Sequence, residues 1–162
     1  MNSWNRRVRE VAYLLNPAFC GRILYTTIYT YVKKTGIAFP FSLVYLILPL
    51  VLHKETRTNI TSRTQLHLWV QKNPQLLIDF PKRASELIPI TNEAVEFLFQ
   101  TGKLELTTNA GLKASTTSGN LSKSKCVDAE ISDCLSKCEH IARWFATSGK
   151  PENVYIALGV RP

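Results

Sequence analysis

Glycine is scarce in this chain, seven in 162 residues, and none stands in a G-x-x-x-x-G-K-[ST] or G-x-G-x-x-G run. Phosphate-cradling loops of those kinds need their glycines for close backbone approach, so nucleotide binding through them is excluded. Cysteine is sparser still. Cys20, Cys126, Cys134 and Cys138 are too few for this length to read as a disulfide framework. The start, with Arg6, Arg7 and Arg9, does not lead into a signal-peptide pattern, so the expectation is a cytoplasmic protein with reduced thiols. The sequons at Asn59 and Asn120 then carry no sugar.

A membrane-length apolar run is also missing. The main apolar stretch, Ile37 to Leu52, has sixteen residues without a charge and contains Pro40 and Pro49, whereas a spanning helix wants about 20 apolar residues. It reads as a buried central helix from Pro40 to about Lys54, with no membrane insertion. A helix apolar all round must be sheathed by others, so it is expected to be the hub of the fold. Acids are missing where bases are common. Met1 to Arg63 holds nine Lys and Arg against two acids, while Thr64 to Pro162 holds eleven against ten. A basic first third suits solvated helix faces, or a nucleic acid, an anionic membrane or an acidic protein surface.

What is present reads mainly as helix. Ser3 caps a first helix to about Leu15, and Asn16-Pro17 opens a second that Gly36 ends after Thr35. Ser62 or Thr61 caps a short helix carrying Leu66, Trp69 and Val70 to near Asn73. Pro74, Pro81 and Pro89 then divide helical turns around Leu76-Leu77, Ala84-Leu87 and Thr91-Thr101. From Lys103 the period changes to two. Lys103 to Thr107 alternates, Thr108 to Gly111 is turn chemistry, and Leu112 to Ser115 is extended again, which predicts a hairpin. Helices followed by such a hairpin outline a winged helix-turn-helix. Residues 116–127 read as a flexible linker, Asp128 to Thr147 as a C-terminal helix, and Asn153 to Leu158, opened by Pro151, as a last short segment, helix in preference to strand. The predicted fold is one mainly α domain. Its parts are a helical 1–60 region, a winged-helix-like 61–115 region and a C-terminal 128–162 region.

Little here points to chemistry. Cys126, Cys134, Cys138 and His140 are the one group resembling metal ligands. Cys138 and His140 are two apart on a helix and do not share a face, so these read as structural thiols. No histidine is framed by a nucleophile and an orienting group. No enzyme activity, cofactor or metal is expected. Nucleic-acid binding competes with protein binding, but the helix before the wing carries Glu93 and Glu96 and no Lys or Arg, which repels phosphate.

Several stretches together resemble a known family. They are Asn16 to Phe19, the run FSLVYLILPLVLHK from Phe41 to Lys54 with Arg57, Trp69, Phe97-Leu98, Arg143-Trp144-Phe145-Ala146 and the terminal LGVRP from Leu158. The chain resembles the middle component of three-component ABC systems. The resemblance implies two partners, an ABC ATPase related to chromosome-maintenance and repair proteins and a third, variable component. It also implies a role in bacterial conflict, including defence against phage. It carries no catalytic residue. A partner surface is expected to use His53, Lys54, Arg57, Arg143, Trp144 and Arg161, with at most weak nucleic-acid contact. The alternative is a winged-helix DNA-binding regulator.

Overall fold

The computed structural model describes residues 15–117, 119–121, 125 and 128–161. The predicted first helix therefore lies outside the described residues. Among the described residues there are eight α-helices: α1 (Pro17–Thr35), α2 (Val44–Leu52), α3 (Lys54–Thr58), α4 (Leu66–Lys72), α5 (Phe80–Glu86), α6 (Ile88–Gln100), α7 (Ala129–Thr147) and α8 (Pro151–Ala157). Three short strands, β1 (Phe39–Pro40), β2 (Leu104–Leu106) and β3 (Gly111–Ala114), form an antiparallel sheet in the order β1-β3-β2. No described helix is long and apolar enough to cross a membrane.

Helix α1 begins and ends as its sequence predicts. The Asn16 side chain accepts from the Ala18 N–H at 2.7 Å, and Gly36, at φ 72°, closes the last turn by donating to the Val32 carbonyl. This helix is the hub, packed most extensively against α7 and α6. It is buried on more than one face, through Cys20, Ile23, Leu24, Tyr25, Ile28 and Tyr31. Gly21 permits the close approach of α6, because a Cβ there would stand 3.3 Å from the Leu98 side chain.

The apolar run is buried, but it is not the single helix predicted, nor the hub. Pro40 is held extended, and Phe39 and Pro40 pair with Leu112 and Gly111 of β3. A short 3-10 turn, Phe41–Leu43, leads into α2, and His53 (φ −79°, ψ 111°) breaks the chain before α3. Pro49 sits inside α2, where it supplies no N–H to the helix. Leu46, Ile47, Leu48, Leu50 and Val51 are all buried, and α2 touches α1, α5, α6 and α7.

The hairpin forms as the alternation predicts. Leu104, Glu105 and Leu106 face Ala114, Lys113 and Leu112. Gly102 donates to the Phe99 carbonyl and Lys103 to that of Leu98, a Schellman-type stop that turns α6 directly into β2. Two predicted starts were misplaced. Helix α6 begins at Ile88 with Pro89 in its first turn, three residues before Thr91. Helix α4 is preceded by Gln65, not capped by Ser62 or Thr61, because the Thr61 and Thr64 hydroxyls bond each other at 2.7 Å. Asp128 caps α7 by accepting from the Glu130 and Ile131 N–H groups. Helices α4 and α7 meet through Trp69 and Trp144, whose ring centroids lie 5.3 Å apart.

Candidate partner-binding groove

The six residues predicted to face a partner are not brought together. Arg57 is the clearest departure, because it is buried at 3% exposure. Its Nε donates to Asp133 at 2.8 Å, its Nη2 to Glu130 at 3.0 Å and its Nη1 to the Val51 carbonyl at 2.9 Å. Burial works against its charge, but Cys134 and the two carboxylates outweigh that and leave its pKa raised. The side chain thus ties the end of α2 to α7 and is no surface anchor. Trp144 is buried as well, and its Nε1 donates to the Thr64 carbonyl at 2.6 Å.

His53 is half-buried and acts as a cap. Its Nδ1 accepts from the Thr56 N–H at 3.2 Å and lies 2.8 Å from the Thr56 hydroxyl. Burial, then the Arg83 charge, lowers its pKa. Lys54 beside it is exposed. Arg143 donates to the Ser62 carbonyl and stands 3.5 Å from His140 Nδ1. Burial, then Arg143, Lys137 and Lys34, lowers the His140 pKa, so this flank carries several cations and, in Glu139, one acid.

Of the six, Arg161 lies on a groove. This groove of about 570 Å³ runs between three elements. One wall is Pro81, Ala84, Ser85 and Ile88, spaced i, i+3, i+4, i+7 across α5 and the start of α6. The second is Tyr45 and Leu46 in the first turn of α2, and the third is Tyr155 with Gly159, Val160 and Arg161. His53 lies at the far end of α2, about 12 Å from Tyr45 at 1.5 Å per residue.

The third wall explains the terminal motif. Gly159 takes φ 69°, open to glycine at no steric cost. It donates to the Ile156 carbonyl at 3.1 Å, and Val160 donates to that of Tyr155 at 3.0 Å. This Schellman closure buries Leu158 and swings Arg161 onto the groove. Both tyrosines are fixed: Tyr155 Oη donates to the Ser42 carbonyl and Tyr45 Oη to Asn92 Oδ1 at 2.9 Å. The edge at Ile88 is apolar and open, with that residue 42% exposed.

Nothing lining this groove makes a nucleophile, base and orienting group, because its polar side chains are Ser85, two tyrosines and Arg161. Among the described residues no three His, Cys, Asp or Glu side chains are grouped to hold a metal ion. Cys126 lies outside the described residues. Cys134 and Cys138 are buried, and burial pushes the Cys138 thiol up to about 12. Of the residues predicted to face a partner, Arg161 lines this groove, whereas Tyr45 and Leu46 stood in the sequence only as part of the apolar run. Sequence reasoning missed the α5 wall, although the Pro81, Ala84, Ser85, Ile88 spacing was there to be read.

No curated protein and no solved structure matches the chain. A family model does, over residues 4–162, and its description is ABC-three component (ABC-3C) system Middle Component 3.

Proposed function

The chain belongs to the Middle Component 3 family of ABC-three component systems, and on that premise we propose that it is a non-catalytic adaptor. It binds an ABC ATPase of the chromosome-maintenance and repair type and couples it to a third component. The setting is the bacterial cytoplasm, in conflict with other genetic elements and in defence against phage. One observation carries this reading. Two of the stretches that carry the resemblance, the run from Phe41 to Lys54 and the terminal LGVRP, lie more than a hundred residues apart in sequence and bring Tyr45, Leu46, Gly159, Val160 and Arg161 to one open apolar groove. A groove of this kind binds side chains and has no means of reacting with them.

The β1-β3-β2 sheet order, with α6 leading into the hairpin, supports a winged-helix reading of this part of the fold. The exposed Glu96 and half-buried Glu93 on α6 turn that wing toward protein and away from phosphate. A weak nucleic-acid contact is the second reading, favoured by the cations around His140. Such a contact would be strongly salt-dependent.

The test is co-expression with the ATPase and third component of the same system, followed by size-exclusion chromatography. The adaptor reading expects one peak containing this chain and the ATPase. Separate elution, with tight binding of duplex DNA by this chain at physiological salt, would replace it with the regulator.

A further inference from the structure

We propose that the groove between α2, α5 and α8 receives an apolar segment of a partner protein that bears one carboxylate, and that Arg161 clamps that carboxylate. The inference rests on the adaptor reading for the identity of the partner, and on the groove itself for the chemistry.

The lining is apolar or neutral apart from a single charge. Among the described residues no acid lines the groove and no carboxylate pairs with the exposed Arg161. The other buried or half-buried arginines of this region are occupied. Arg57 holds Glu130 and Asp133, and Arg83 donates to the Leu76 carbonyl with its guanidinium 5.5 Å from the Phe80 ring centre. Arg161 is therefore the cation the fold leaves available at this place, and a guanidinium fork is matched by a carboxylate.

The walls are set in advance. Tyr45 and Tyr155 are held by Asn92 and Ser42, and the Schellman turn fixes the backbone that carries Arg161. A preorganised wall reduces the ordering cost of binding. The rim decides the size of the occupant. Ile88 lines the groove and stands 42% exposed at its edge. An occupant confined to the groove floor would leave it in water. A peptide segment lying along the groove covers it, with its apolar side chains against Ile88 and its carboxylate at Arg161.

Two measurements test this, one without the partner. The apolar anion 1-anilinonaphthalene-8-sulfonate is titrated by fluorescence into wild type, Arg161→Glu, Arg161→Lys and Ile88→Asp, each checked for an unchanged near-ultraviolet dichroism spectrum. In parallel the ATPase is captured on each variant. The expected result is at least about tenfold weaker binding of both ligands by Arg161→Glu and Ile88→Asp, with partial retention by Arg161→Lys. Folded Arg161→Glu and Ile88→Asp variants that bind both ligands like wild type overturn the proposal. Loss of the dye with normal capture of the ATPase also overturns it, because the partner then binds elsewhere. If wild type captures no ATPase while the dye pattern holds, the adaptor reading fails and the groove chemistry stands. A wild-type dimer that Ile88→Asp turns into a monomer would make a second copy the occupant and overturn the proposal.

Discussion

Arg57 and Arg161 show how differently two arginines of one chain are used. In sequence both belong to basic motifs, and neither betrays its surroundings. The carboxylates that claim Arg57 lie 73 and 76 residues away, so only the fold reveals that it is internal. Replacing Arg57 with Met should therefore cost stability before it costs binding. Removing one partner of a buried pair costs about 3–5 kcal/mol, but here the carboxylates are 59% and 40% exposed and rehydrate. A loss of about 2 kcal/mol is expected, read as a lower urea midpoint with an unchanged slope. The histidines give a pH dependence of definite sign. Burial and neighbouring cations hold the folded pKa values of His53 and His140 below the ordinary histidine value of 6.5, so the unfolded chain binds protons more readily. Stability should be full above about pH 7 and fall as pH drops through 6.5 toward the lowered values. Unfolding midpoints at pH 5.5 and pH 7.5 check this, and His53→Gln should reduce the difference.

Elements with their own local signals were legible from sequence. Asn16, Pro17 and Gly36 bracket α1, Asp128 starts α7, and the alternation from Lys103 gives the hairpin. Elements made by distant contacts were not. Strand β1 has two residues, one of them proline, inside an apolar run, and it exists because Gly111 and Leu112 lie beside it. The break at His53 has no glycine or proline to announce it. The β1–β3 contact is correspondingly vulnerable. A Cβ at Gly111 would stand 2.5 Å from the Ala38 Cβ and 2.8 Å from the Thr107 hydroxyl. Gly111→Ala should lose about 1–3 kcal/mol, the usual cost of overpacking. Amide exchange at Leu112 should accelerate with it, whereas unchanged exchange would show that β1 yields without strain.

At the scale of the whole molecule, the groove was half legible. Its α2 and terminal motifs are visible in the sequence, but their meeting depends on α8 returning across the 3-10 turn that precedes α2, through the Tyr155 to Ser42 bond. No local pattern encodes that return. The consequence is a division of labour: α1, α6 and α7 make the packed body, while α2, α5 and α8 leave an open apolar face. The measurement that tests this most directly is amide hydrogen exchange on this chain, alone and with the ABC ATPase bound. Protection should appear together in Tyr45–Leu46, Ala84–Ile88 and Tyr155–Arg161, with the hairpin from Leu104 to Ala114 unchanged. Protection confined to the hairpin or to the Lys34 and Arg143 flank, with these three segments unaltered, would contradict the account.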